Sequence, residues 1–267
     1  MNKTIAILGC GWLGLPLAQS FLKDGYRIHG STTSKEKLAD LKAVGIQPFL
    51  ISLSEDKLEG NIEGFLKNME ALVINVPPRL RGENTENYVK KMQLLHQSIK
   101  QSPVRKVIFT SSTSVYGDVE GEVTEATLPQ PTTESGKQLL ASEDIFKNDA
   151  ELRTTIVRFG GLIGPKRHPI TMLSGRKNLS GGNAAINLIH LNDCIRIISK
   201  IVQKNWWNET LNGVYPYHPT KQKYYTSEAI RKGLQVPDYD VNSSKKGKIV
   251  HSYNLTNVKK FEFTTTL

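Results

Sequence analysis

Short apolar runs alternate with amphipathic stretches through the first 160 residues, at a spacing that predicts strands alternating with helices. Residues 4–8 form the first strand. The turn Gly9-Cys-Gly-Trp-Leu-Gly14 then leads into an apolar helix that runs to Asp24 and stops at Gly25. Residues 26–30 read as the second strand. Thr33, with Glu36 three residues on, makes a capping box for a helix over 34–44 that Gly45 closes. Further strands are predicted at 46–52, 71–76, 106–110 and 154–159, with helices at 83–101 and 134–147. Such alternation folds as parallel crossover units. The expected fold class is therefore α/β, a Rossmann-type doubly wound parallel sheet with ligands at the carboxyl ends of the strands.

After Gly164 the alternation fails. Residues 167–183, rich in Gly, Asn, Ser and basic side chains, read as loop; 185–191 reads as a strand and 192–204 as a helix. From Trp206 the chain mixes Pro, Tyr and Lys around one helix near 227–234. The expected organisation is an NAD(P)-binding Rossmann domain over 1–165 and a small substrate-side lobe over 166–267, with 185–204 packing back on the Rossmann domain.

Charge sharpens this division. The 267 residues carry 35 basic and 25 acidic side chains, and the excess lies after residue 160, where 16 basic face 6 acidic groups. A basic lobe suits an anionic partner, first a phosphorylated or carboxylated small molecule. Nucleic acid ranks below it, because no recognised module with interleaved aromatics is present. Cys10 and Cys194 are too few and too far apart for a disulfide framework or a metal site. The apolar N-terminus contains Gly9, Gly11, Gly14 and Pro16, which would break an export-signal helix, and no other segment is long enough to span a bilayer. A cytoplasmic location without membrane or metal is the expectation; composition leaves the oligomeric state open.

The spacing Gly9-x-Gly11-x-x-Gly14 between a first strand and a first helix is a dinucleotide-binding arrangement. The first glycine permits the tight turn, the second lets a pyrophosphate approach, and the third lets helix pack on strand. The turn as a whole, Trp12 and Leu13 included, is the expected cofactor cradle. At the end of the second strand the sequence reads Gly30-Ser-Thr-Thr-Ser-Lys35, without the acid that usually holds a free ribose 2′-hydroxyl. Ser31, Thr32 and Lys35 suit a 2′-phosphate, so NADP is expected ahead of NAD.

Thr110-Ser-Ser-Thr-Ser-Val-Tyr-Gly-Asp118 resembles the Ser-Ser-x-x-Val-Tyr-Gly signature of extended short-chain dehydrogenases/reductases, the epimerase/dehydratase branch. With Arg158-Phe-Gly-Gly-Leu-Ile-Gly-Pro165, Asn187-Leu-Ile-His-Leu-Asn-Asp193 and Gly247-Lys-Ile, it is similar to that superfamily's atypical YeeZ-like subgroup over nearly the whole chain. The resemblance implies a Ser that hydrogen-bonds the substrate oxygen, here Ser112, and a Lys that holds the cofactor ribose, here Lys137. It also implies a Tyr four residues before that Lys, where this chain has Thr133. An aliphatic hydroxyl is a far weaker acid than a phenol. Tyr116, His168 and His190 are the substitute candidates for the proton-transfer role, with His168 first. Two functions follow: an NADP-preferring oxidoreductase of the epimerase/dehydratase type acting on an anionic small molecule, or a non-catalytic NADP-binding sensor or scaffold that has lost the tyrosine.

Overall fold

The computed structural model describes residues 3–78, 86–240, 242–243 and 246–267. In chain order the elements begin with β1 (Thr4–Leu8), α1 (Gly14–Lys23), β2 (Arg27–Thr32), α2 (Lys37–Ala43), β3 (Gln47–Leu50), β4 (Ser52–Leu53) and β5 (Leu58–Glu59). Next come α3 (Ile62–Leu66), β6 (Ala71–Ile74), α4 (Tyr88–Lys100), β7 (Lys106–Ser112), β8 (Gly121–Val123), α5 (Glu134–Lys147), β9 (Arg153–Phe159) and β10 (Gly161–Ile163). Then follow α6 (Ile170–Leu173), β11 (Leu188–His190), α7 (Leu191–Lys204), β12 (Thr210–Gly213), α8 (Lys221–Arg231) and β13 (Lys248–Val250).

Seven strands form one sheet in the order β12-β9-β7-β6-β1-β2-β3, with every neighbouring pair parallel. All five residues of β1 are buried because helices cover both faces of the sheet, which is why Ile5 to Leu8 read as an unbroken apolar run. Ile5 and Ile7 pack with Leu17 and Phe21 of α1 and Ile197 and Ile201 of α7, whereas Ala6 and Leu8 pack with Met92 and Leu95 of α4 on the other side. The strand order reverses between β1 and β6, and that reversal opens the ligand crevice of such sheets. A third, smaller core joins Ile163, Ile170, Ile186, Leu188, Tyr224 and Tyr225. Among the described residues no helix is long and apolar enough to cross a membrane.

Several local expectations are revised. The capping box at Thr33 does not form: β2 continues to Thr32, whose hydroxyl accepts the Ser34 N–H at 3.2 Å, while the Ser34 hydroxyl engages the Glu36 carboxylate. These bonds knit 32–36 into a turn, and α2 starts only at Lys37. Helix α4 starts at Tyr88 because the Asn87 side chain caps the Lys90 N–H at 3.1 Å; Glu83, where the sequence pattern put its start, lies outside the described residues. Helix α8 starts six residues before its expected position, capped by Thr220 on the Lys223 N–H. Its Lys-Gln-Lys-Tyr-Tyr beginning lacks an aliphatic stripe, yet Tyr224 and Tyr225 supply the buried face. Strand β12, from the segment after Trp206, completes the main sheet beside β9.

Candidate functional site

The glycine turn has a separate physical requirement at each glycine. Gly9 has φ +98°, and a Cβ there would stand 2.7 Å from the Asn75 carbonyl oxygen. A Cβ on Gly14 would stand 2.1 Å from the Gly9 carbonyl oxygen, so α1 reaches β1 only because position 14 is glycine. Gly11 is different: its backbone is ordinary, and a Cβ would meet nothing within 4 Å. Its hydrogen positions face open space, which is what the close approach of a pyrophosphate requires.

Two side chains brace the turn. The Ser31 hydroxyl accepts the Gly9 N–H at 2.9 Å, and the Asn75 carboxamide donates to Gly9 O at 3.0 Å. The Cys10 N–H is held by Ser31 O at 2.8 Å, leaving the N–H groups of Gly11, Trp12 and Leu13 without a backbone acceptor among the described residues. Helix α1 has no acid in its first turn, so these donors and the helix dipole give this end of the helix a positive potential. Leu13 itself is buried in the core, and burial pushes the Cys10 thiol up to about 12, which keeps it inert. Ser31, only 2% exposed and committed to Gly9, supports the cradle from beneath, whereas Thr32 is half-buried and Lys35 exposed at the end of β2.

Strand β7 carries Ser112 to the carboxyl edge of the sheet. The Ser112 hydroxyl accepts the Ser114 N–H at 3.1 Å and starts a 3₁₀ turn over Thr113–Tyr116. Helix α5 begins against this turn: a Cβ on Gly136 would lie 3.0 Å from Ser114 O, so glycine lets the helix end approach the serine. Thr133 is the N-cap of α5, its hydroxyl accepting the Gly136 N–H at 3.1 Å, and Lys137 stands exposed one turn on. The structure thus brings Ser112, Thr133 and Lys137 to one corner.

Tyr116 is turned away from proton transfer. It is fully buried; its hydroxyl donates to Asn212 Oδ1 at 2.9 Å and accepts from Arg158 Nη1 at 3.0 Å. Arg158 in turn grips Glu143 with Nε and Nη2, and the Ser111 hydroxyl donates to the same carboxylate at 2.5 Å. Burial raises the Tyr116 pKa, with Arg158 partly opposing. A phenol so held is a structural tie between β7, β9 and β12.

His168 is also corrected from proton donor to a core group of the small lobe. Its Nδ1 accepts the Ile170 N–H at 3.2 Å, which leaves Nε2–H to donate to Tyr224 Oη at 3.1 Å, with Glu228 Oε2 at 3.5 Å. Burial, then Lys232 and Arg231, lower its pKa to about 4 against the opposing pull of Glu228. At neutral pH it has no proton of the required acidity to give. His190 caps α7 by accepting the Asn192 N–H through Nδ1 at 3.2 Å, and burial lowers its pKa against Asp193. Sequence reasoning missed Asn75, the brace of the glycine turn; an amide directly after a buried strand was the only signal for it.

A glycine turn at the carboxyl end of β1, a Ser-bearing turn after β7 and a Lys one helical turn into α5 thus lie along the carboxyl edge of one parallel sheet. The model of the NAD dependent epimerase/dehydratase family matches residues 5–212. The chain belongs to this family. It is 35% identical over 263 residues to Protein YeeZ of Escherichia coli (strain K12), covering 98% of this chain and 96% of that one. It is 23% identical over 239 residues to the "Uncharacterized UDP-glucose epimerase YtcB" of Bacillus subtilis (strain 168), covering 79% and 76%. Among solved structures, UDP-glucuronic acid 4-epimerase from Bacillus cereus in complex with NAD superposes with a TM-score of 0.80 at 18% identity, covering 98% and 92%. MoeE5 in complex with UDP-glucose and NAD gives 0.78 at 21%, covering 99% and 94%. At the position where the sequence resemblance implies a tyrosine, this chain has Thr133.

Proposed function

We propose that this chain binds NADP(H) across the glycine turn and acts as an oxidoreductase of the epimerase/dehydratase type on an anionic small molecule. The observation that carries the reading is the cradle itself: N–H groups at Gly11–Leu13 without a backbone acceptor among the described residues, open space over Gly11, and a β2 end that presents Thr32 and the exposed Lys35, with the neighbouring Glu36 carboxylate bonded to the Ser34 hydroxyl. Ser112 donates a hydrogen bond to the substrate oxygen, and the Lys137 ammonium holds the ribose hydroxyls. When bound, the cofactor supplies or accepts the hydride. Sugar nucleotides are the substrate class to test first, because relatives of this fold are named for them and the segment after residue 160 is strongly basic. The expected setting is cytoplasmic, where the buried thiols Cys10 and Cys194 stay reduced.

A second reading has its own support. Thr133 is a capping hydroxyl, Tyr116 is locked by Arg158 and Asn212, and His168 is neutral, so none of the three supplies an ordinary proton shuttle. Such a chain fits an NADP-binding sensor or scaffold that no longer turns over. Calorimetry with NADPH and NADH, followed by a hydride-transfer screen against UDP-sugars, separates the two. Tighter NADPH binding with turnover supports the enzyme; tight binding with none supports the sensor; NADH binding equal or tighter overturns the cofactor assignment.

A further inference from the structure

The turn after β10 folds back onto the glycine turn. Gly164 and Arg167 exchange both backbone hydrogen bonds, at 2.9 and 3.0 Å, around Lys166 with φ +56°. A Cβ on Gly164 would press on the Trp12 ring at 3.1 Å, so glycine lets the two turns touch. The Trp12 indole N–H donates to Pro165 O at 3.0 Å, and the Arg167 guanidinium lies over the Trp12 ring, 4.8 Å from its centroid. Arg167 is exposed and has no carboxylate partner among the described residues. A cation is therefore tethered to the side chain of the glycine turn's own Trp12, on an aromatic plane that sets its orientation, and the Gly11, Trp12 and Leu13 N–H groups of that turn have no backbone acceptor among the described residues.

We infer that Arg167 is a diphosphate-binding residue, which completes the anion cradle of the glycine turn by pairing its planar fork with two linked phosphates. The inference deepens the dinucleotide reading above and rests on it. Trp12 acts as the positioning residue, holding the guanidinium over the cradle instead of leaving it to sample solvent. Preorganised in this way, the fork loses less freedom on binding than a lysine would.

The test titrates the full chain and Arg167→Met with NADPH, ADP-ribose, adenosine 2′-monophosphate and inorganic pyrophosphate. Arg167→Met should lose about tenfold or more in affinity for NADPH and ADP-ribose, both of which carry a diphosphate, with reduced salt sensitivity. Binding of adenosine 2′-monophosphate, which has no diphosphate, should be unchanged, and Arg167→Lys should recover part of the loss. Unaltered affinity of Arg167→Met for every probe overturns the inference, and so does an equal loss for adenosine 2′-monophosphate, which would mean that the turn itself had collapsed. If the native chain binds neither NADPH nor adenosine 2′-monophosphate, the cofactor reading fails, and pyrophosphate then decides this one separately. Pyrophosphate binding that depends on Arg167 upholds the site; its absence overturns it.

Discussion

Arg158 donates to the Tyr116 hydroxyl at 3.0 Å while gripping Glu143 on its other edge, and all three side chains are buried. The tyrosine that follows the Ser112 turn is thus held inside a polar network whose members depend on one another. Tyr116→Phe should leave Arg158 Nη1 and Asn212 Oδ1 each short of a partner, at a cost of roughly 1–3 kcal/mol. Arg158→Met should cost more, about 3–5 kcal/mol, because Glu143 is left buried and unpaired. Adding Glu143→Leu to Arg158→Met should recover part of that loss, which urea unfolding of the four proteins would measure. A Tyr116→Phe protein of native stability would contradict this account.

At the glycine turn, binding and folding should separate. Gly11→Val has room for its side chain and should keep the native melting temperature, but it fills the pyrophosphate's approach and should weaken NADPH by about tenfold or more. Gly14→Ala should instead destabilise the fold by about 1–3 kcal/mol, because its Cβ is driven onto Gly9 O. Thermal melts beside fluorescence titration distinguish the two, and native NADPH affinity in a folded Gly11→Val protein would refute the site.

Cofactor choice should follow Lys35. Its loss in Lys35→Ala should narrow the NADPH-over-NADH preference by weakening NADPH alone, and added salt should narrow it in the native chain, because the contact is exposed. Equal weakening of both cofactors on calorimetry would remove Lys35 from the 2′-phosphate.

The buried imidazole of His168 makes stability depend on pH. Its folded pKa of about 4 lies below the ordinary 6.5, so the unfolded chain takes up this proton first as pH falls. The contribution is complete above pH 6.5 and is lost between there and about 4, amounting to at most about 3 kcal/mol. His168→Gln should flatten that part of the stability profile. An unchanged slope would show that other groups carry it.

Thr133 and Lys137 should respond differently to truncation. Lys137→Ala should weaken NADPH, whereas Thr133→Ala should leave binding near native and cost about 1 kcal/mol through the lost helix cap. Hydride transfer abolished by Thr133→Ala, with NADPH binding and fold intact, would make the threonine a direct participant.

The sequence by itself determined the local elements and the chemistry that local spacing encodes. The apolar runs of β1, β6 and β7 mark strands buried on both faces, the Gly9–Gly14 spacing marks the cradle, and α5 runs from Glu134 to Lys147 as its pattern predicts. Ser112, Thr133 and Lys137 were singled out by the family resemblance of their segments, and the elements around them put Ser112 at the end of β7, Thr133 at the N-cap of α5 and Lys137 in its first turn. Tertiary structure alone decided which polar side chains were already spent. Ser31 faces Gly9 because β2 lies beside β1, Tyr116 meets Arg158 and Asn212 because β7, β9 and β12 are neighbours, and His168 is neutral because α8 covers it. Those partners lie 22 to 96 residues away in the chain. A hydroxyl or imidazole has the same symbol in a sequence whether free or bonded, and only the packing of distant elements sets its solvation and hence its acidity.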